Sequence, residues 1–293
     1  MNYRLSLPYN SYSSVSEAFK FITEFIAFHV EGIQSSNSNG WIEYDYNKII
    51  NYLDTSNLDS FNIVSNFSNY LDFKNSITFR RLHLLQLNLF AFSLESPANM
   101  RFEELLYSAA KKGFTMMLRF DYSKAKWQSE RLIDNYKAFN KNFEHLPKIW
   151  DDELSPILGE VIDISKNPGH LKETQGIILM AAPEMWFGPG SWKLFDKKRV
   201  MSFPKAIKIK EILPDVIYVK LFDPDESDYE KYEILDLQKK FREWTRMDEI
   251  EQNLNQTSSK PTKAATLKLD IRDSVNTIEK LNITDLTKNI RNK

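Results

Sequence analysis

The chain has 293 residues, 42% hydrophobic and 27% charged, enough for one large or two modest soluble domains with a substantial core. Its 39 basic and 40 acidic residues leave a net charge of −1, so it lacks the basic balance of a general nucleic-acid binder. No cysteine occurs, which excludes a disulfide framework, a thiolate nucleophile and any Cys-ligated zinc or iron–sulfur centre.

The opening stretch MNYRLSLPYNSYSS has a single Arg, no sustained apolar run and no small-residue cleavage pattern, so no signal peptide is expected. No segment reaches the roughly 18 consecutive apolar residues of a membrane-spanning helix. The expectation is a soluble, cytoplasmic protein with neither membrane nor nucleic acid as partner. SVSEAFKFITEFIAFHVEGI places Val15, Phe19, Ile22 and Phe25 or Ile26 at helical spacing, capped by Ser14 or Ser16 and stopped at Gly32. QSSNSNG reads as a polar loop and WIEYDY as a strand of period two. Residues 47–75, rich in Asn and Ser, read as short helices. TFRRLHLLQLNLFAFSLE is the most strand-like segment, and apolar residues on both of its faces predict a central strand covered on both sides. MRFEELLYSAAKKG reads as a helix stopped at Gly113. FTMMLRFDY is then a strand, and SERLIDNYKAFNKNF an exposed amphipathic helix ending before Pro147.

Farther on, TQGIILMAA reads as a buried strand, KAIKIKEIL alternates, and DVIYVKLFDP is a strand. YEILDLQKKFREWTRMDEIEQNL is an amphipathic helix, with Phe241 and Trp244, three residues apart, as its core anchors. KKGFTMMLRFD and LPDVIYVKLFD share a pattern ending in hydrophobic–Phe–Asp. A diverged duplication of about 1–125 and 126–255 accounts for it, and so does chance likeness between amphipathic strands. After Asn255 comes a polar linker with Pro261 and a weakly helical basic tail. The expected fold is therefore α+β: a mainly antiparallel or mixed sheet with packed helices over residues 1–255, and a C-terminal appendage over 256–293.

Chemistry-bearing motifs are scarce. Neither glycine-rich phosphate loop occurs, nor H-E-x-x-H, and Ser191 in GPGS lacks the closing glycine of a nucleophile elbow. His29, His83, His145 and His170 share no ligand-like spacing. The expectation is no catalytic residue, no cofactor and no metal. FDPDESDYEKYE carries Asp223, Asp225, Glu226 and Asp228, but Asp228 stands where a calcium loop needs glycine. That segment reads as a solvated acidic loop, or as a surface for a basic partner. In EMWFGPGSWKLF, Gly188-Pro189-Gly190-Ser191 has the type II turn signature, with Gly190 at positive φ. Such a turn holds Trp186, Phe187 and Trp192 either as a lid on the core or as a preorganised binding hot spot.

The run QGIILMAAPEMWFGPGSWKLFDKKRVMSFP, then LFDP and LQKKFREWTRMDEIE, resembles immunity proteins of bacterial polymorphic toxin systems (contact-dependent or type VI secretion) over residues 175–250. There a buried strand leads to a W-F-G turn, a basic segment, a strand ending in L-F, and a helix with a Q-K-x-F-x-x-W-like core. The resemblance implies a non-enzymatic α+β protein that binds and neutralises a cognate protein toxin. For that partner the contact candidates are Trp186, Phe187 and Trp192 at the corner, with Asp223, Asp225, Glu226 and Asp228 in the acidic loop. Two alternatives stand beside it: an enzyme of unrecognised class with His83, His170 and acids in a cleft, and a non-catalytic adaptor module.

Overall fold

In the computed structural model, which describes residues 2–35, 41–56, 58–65, 75–152 and 154–258, strands and helices alternate irregularly. The first half contains β1 (Asn2–Pro8), α1 (Val15–Thr23), β2 (Gly32–Ser35), β3 (Trp41–Glu43), α2 (Tyr46–Thr55) and β4 (Ser60–Val64). Next come β5 (Ser76–Leu82), β6 (Leu87–Ser93), α3 (Phe102–Lys111) and β7 (Met116–Phe120). Short elements follow: α4 (Tyr122–Ser129), α5 (Ile133–Ala138), β8 (Lys148–Ile149), α6 (Ser155–Leu158), β9 (Val161–Ile162), β10 (Lys172–Thr174) and β11 (Ile177–Leu179). The last group is β12 (Glu184–Phe187), α7 (Lys197–Met201), β13 (Lys208–Leu213), β14 (Val216–Lys220), α8 (Tyr232–Thr245) and α9 (Met247–Ser258). The tail expected over 256–293 lies, from residue 259, outside the described residues, as do parts of the segments around 36–40 and 66–74.

Ten strands form one sheet in the order β13-β14-β12-β7-β1-β6-β5-β4-β2-β3. Every neighbouring pair is antiparallel, so the fold is α+β as its composition of elements implied. Residues 2–120 supply seven of these strands and residues 184–220 the other three. β1 lies between β6 and β7, near the middle of the sheet. β12 is flanked by β7 and β14, so those two strands run parallel to each other. The Phe120–Asp121 and Phe222–Asp223 exits therefore leave the sheet in the same direction.

Period-two alternation gives the sheet two apolar faces. Tyr3, Leu5 and Leu7 of β1, Phe90 and Phe92 of β6, Met117 of β7 and Trp186 of β12 belong to the first core, under α1, α2 and α3. Met116, Leu118 and Phe120 of β7, Met185 and Phe187 of β12, and Ile217 and Val219 of β14 belong to the second. Phe195, Val200 of α7, Phe241 of α8 and Met247 of α9 close that second core.

Several elements differ from the sequence expectation, each for a local reason. The long strand-like run around residue 84 is a hairpin: Gln86 takes φ 47° and the chain reverses between β5 and β6. TQGIILMAA likewise folds back at Gly176, φ 70°, pairing β10 with β11. α1 ends at Thr23, and Gly32 opens β2 instead of closing a helix. β4 occupies part of the stretch expected to be helical. The last helix is broken by Arg246, whose left-handed φ of 60° separates α8 from α9.

Candidate partner-binding surface

The aromatic corner is built on β12, and consecutive strand residues point to opposite faces. Trp186 is buried in the first core against Phe102, Tyr218 and Tyr3, with ring centroids 5.2, 5.1 and 6.5 Å away. Phe187 is buried in the second core against Phe195 at 5.2 Å and Trp192 at 6.1 Å. Both rings are buried, as in the lid reading of the corner, so of the three aromatic contact candidates only Trp192 reaches the surface. Trp192 is half-buried; its Nε1–H donates to the Asp215 carbonyl at 2.9 Å, and the Lys197 ammonium lies 5.8 Å from the ring centre.

The turn itself also differs. Gly188 has φ −89°, and Pro189–Lys193 is a 3-10 helix, so Gly190 does not take the positive φ of a type II turn. Glycine is needed here for close approach. A Cβ on Gly190 would stand 2.4 Å from the Gly113 carbonyl oxygen, and one on Gly188 2.3 Å from that of Phe114. The corner is docked on the loop before β7 by backbone hydrogen bonds, Gly188 N–H to Thr115 O and Gly190 N–H to Phe114 O, both 3.0 Å.

The acidic loop leaves the opposite end of the β12–β14 pair, since Glu184 stands opposite Lys220 while Phe187 stands opposite Ile217. Corner and loop therefore do not form one continuous patch. Arg119, Glu184 and Lys220 share a row across β7, β12 and β14. The Arg119 guanidinium reaches Glu184 at 2.9 Å and Asp225 at 2.7 Å. Lys220 Nζ reaches Asp223 at 3.0 Å, and Lys124 Nζ donates to the Asp225 and Ser227 carbonyls at 2.5 and 3.0 Å. The Lys220 ammonium, then the backbone N–H groups of Glu226 and Asp225, hold the Asp223 carboxyl down at about 2. Glu226 and Asp228 remain exposed. Much of the loop's negative charge is thus neutralised by the fold's own cations.

The histidines have separate partners. His83 is exposed between the Tyr9 hydroxyl at Nδ1 and Asp59 at Nε2, both 2.5 Å. His170 is buried, with Nδ1 2.6 Å from the Asn167 carbonyl and Nε2 3.2 Å from Glu251, which also accepts from Arg242 at 2.8 Å. Burial alone would raise the Glu251 carboxyl; His170 and Arg242 outweigh it and hold it below the ordinary glutamate value. His29 and His145 are exposed. Among the described residues no group of three or more His, Cys, Asp or Glu side chains is placed to hold a metal ion.

A groove that the sequence reading did not single out lies between α7 and α8. It has a volume of about 630 Å³ and its lining includes Arg199, Phe203, Lys205, Lys240, Glu243 and Trp244. Trp244 is 41% exposed, not the core anchor expected beside Phe241. The buried stripe of α8 runs through Gln238, Phe241, Arg242 and Thr245, and Trp244 falls on its flank. Its Nε1–H donates to the Arg199 carbonyl at 2.7 Å, and Arg199 Nη1 donates back to the Trp244 carbonyl at 3.3 Å. Ring contacts continue from Trp244 to Phe203, Phe241, Phe187 and Trp192, at 6.2, 5.2, 6.3 and 6.1 Å. The run begins at an exposed tryptophan and ends at a half-buried one.

No family model, curated protein or solved structure matches the chain. Among the described residues no helix is long and apolar enough to cross a membrane.

Proposed function

We propose that this protein works by binding another protein, as an immunity factor that neutralises a cognate antibacterial toxin by covering its active site in the cytoplasm of the producing cell. The observation that supports this reading is the five-ring run from Trp192 to Trp244. Trp244 is exposed and Trp192 half-buried. These two are fixed by Nε1–H bonds to the Asp215 and Arg199 carbonyls and joined through the buried rings of Phe187, Phe241 and Phe203. Little side-chain freedom is left to lose on association, and rigid aromatic anchors dominate interface energetics. The contact candidates are therefore Trp192 and Trp244, with Glu226 and Asp228 as exposed charges on a separate face.

The test is protection. Where a neighbouring gene encodes a toxin domain, cells producing that domain should survive when this chain is co-expressed, and the two purified proteins should form a complex. Trp244→Ala should weaken that complex by about 2 kcal/mol, the hot-spot scale. Unprotected cells together with no complex between the purified proteins would refute the reading.

A further inference from the structure

The groove between α7 and α8 carries a charge imbalance. Its lining carries three cations, Arg199, Lys205 and Lys240, against one carboxylate, Glu243, which lies 3.9 Å from Lys239, while Asp236 bonds Lys240 from beside the groove. Among the described residues, neither Lys205 nor Arg199 has a carboxylate within ion-pair distance. Lys205 and Lys240 both line the groove, and the neighbouring Lys240 holds Lys205 below the ordinary lysine value. The apolar part of the lining is Trp244, Phe203 and Pro204. The acidic loop is the reverse case, because Asp223 and Asp225 are already paired with Lys220 and Arg119.

We infer that this groove is the docking site for an acidic segment of the protein partner, which sets a carboxylate between Lys205 and Lys240 and an apolar side chain on Trp244. The occupant follows from complementarity. An anion supplies the counter-charge that Lys205, beside the already paired Lys240, lacks, and an apolar group covers an indole that already exposes its surface to water. The open shape of a shallow groove between two helices suits a chain segment. The inference rests on the partner-binding reading, but the groove is testable without knowing the toxin.

The experiment is selection of displayed random heptapeptides on the immobilised full chain, followed by titration of the enriched peptides. The selected sequences should place Asp or Glu beside an aliphatic or aromatic residue. Binding should fall at least tenfold in the double variant Lys205→Glu, Lys240→Gln and at least tenfold in Trp244→Ala. Glutamine at position 240 avoids setting a new carboxylate against Asp236. All three side chains are at least partly accessible, and thermal melts will confirm that the variants fold. Enriched peptides without acidic residues, or acidic peptides that bind the double variant unchanged, would overturn the inference. So would a fluorescein-labelled single-stranded oligonucleotide that binds the groove more tightly than any selected peptide. The protection assay separates the two readings: if the wild type protects and the double variant protects equally, the groove is excluded while the immunity reading stands. If the wild type fails to protect, the immunity reading falls, and the peptide titration still decides the groove.

Discussion

At the scale of the residue, Phe241 and Trp244 illustrate how one turn of helix separates packing from presentation. Three residues along a helix is a rotation of 300°, so the second side chain lies 60° around the axis from the first. Phe241 lands in the middle of the second core, with Phe203 edge-on at 5.2 Å, whereas Trp244 lands on the rim. Phe241→Ala should therefore cost about 3–5 kcal/mol in a urea melt, the range for a buried aromatic. Trp244→Ala loses one hydrogen bond and partial packing, and should cost only about 1 kcal/mol. Equal losses would place both rings in the core. Gly190 makes a related point, since its lack of a side chain serves the approach of two backbones and not a turn conformation.

At the scale of the element, the acidic loop is held in place by the strand ends that flank it. Arg119 of β7 and Lys220 of β14 reach across to Asp225 and Asp223, so the loop after β14 is fastened to the sheet by opposite charges. The folded-state pKa of Asp223, about 2, lies below its unfolded value of about 3.9. Its contribution to stability is complete above about pH 4 and is lost as pH falls toward 2. Asp223→Asn should thus lower the urea midpoint at pH 5, and its difference from the wild type should shrink steadily between pH 4 and 2. A difference that does not change with pH would mean the carboxylate is not held by these partners. How much of this was readable depends on range. The amphipathic stripe of α8, the Gly113 stop after α3 and the strands β7 and β14 follow from local periodicity and glycine chemistry. The hairpins at Gln86 and Gly176 do not, because apolar residues on both sides of each reversal disguise two strands as one. Which acids have partners depended on Arg119, more than a hundred residues away from Asp225 in sequence, and nothing local signals that.

At the scale of the whole molecule, the sheet joins the two parts of the chain through the β7–β12 pairing. Residues 1–125 alone would bare the β7 edge and leave Met116, Leu118 and Phe120 without the α7–α9 side of the second core. Residues 126–258 alone would keep only three strands of the large sheet. Expressed separately, neither piece should be a soluble monomer with a cooperative melt, since an open edge beside an apolar face favours association. A sharp thermal transition in monomeric 1–125 would show that the first seven strands fold without the rest.

The central position of β1 also constrains events during synthesis. Its partners are residues 87–93 on one side and 117–120 on the other, so β1, made before either, waits for both neighbours. At about 5–20 residues per second, that wait is on the order of ten seconds. Throughout it, Tyr3, Leu5 and Leu7 have no sheet to enter, and the nascent chain depends on α1 or a chaperone to shield them. A rare-codon pause placed between β1 and β6 would lengthen that exposure, and one placed after β7 would not.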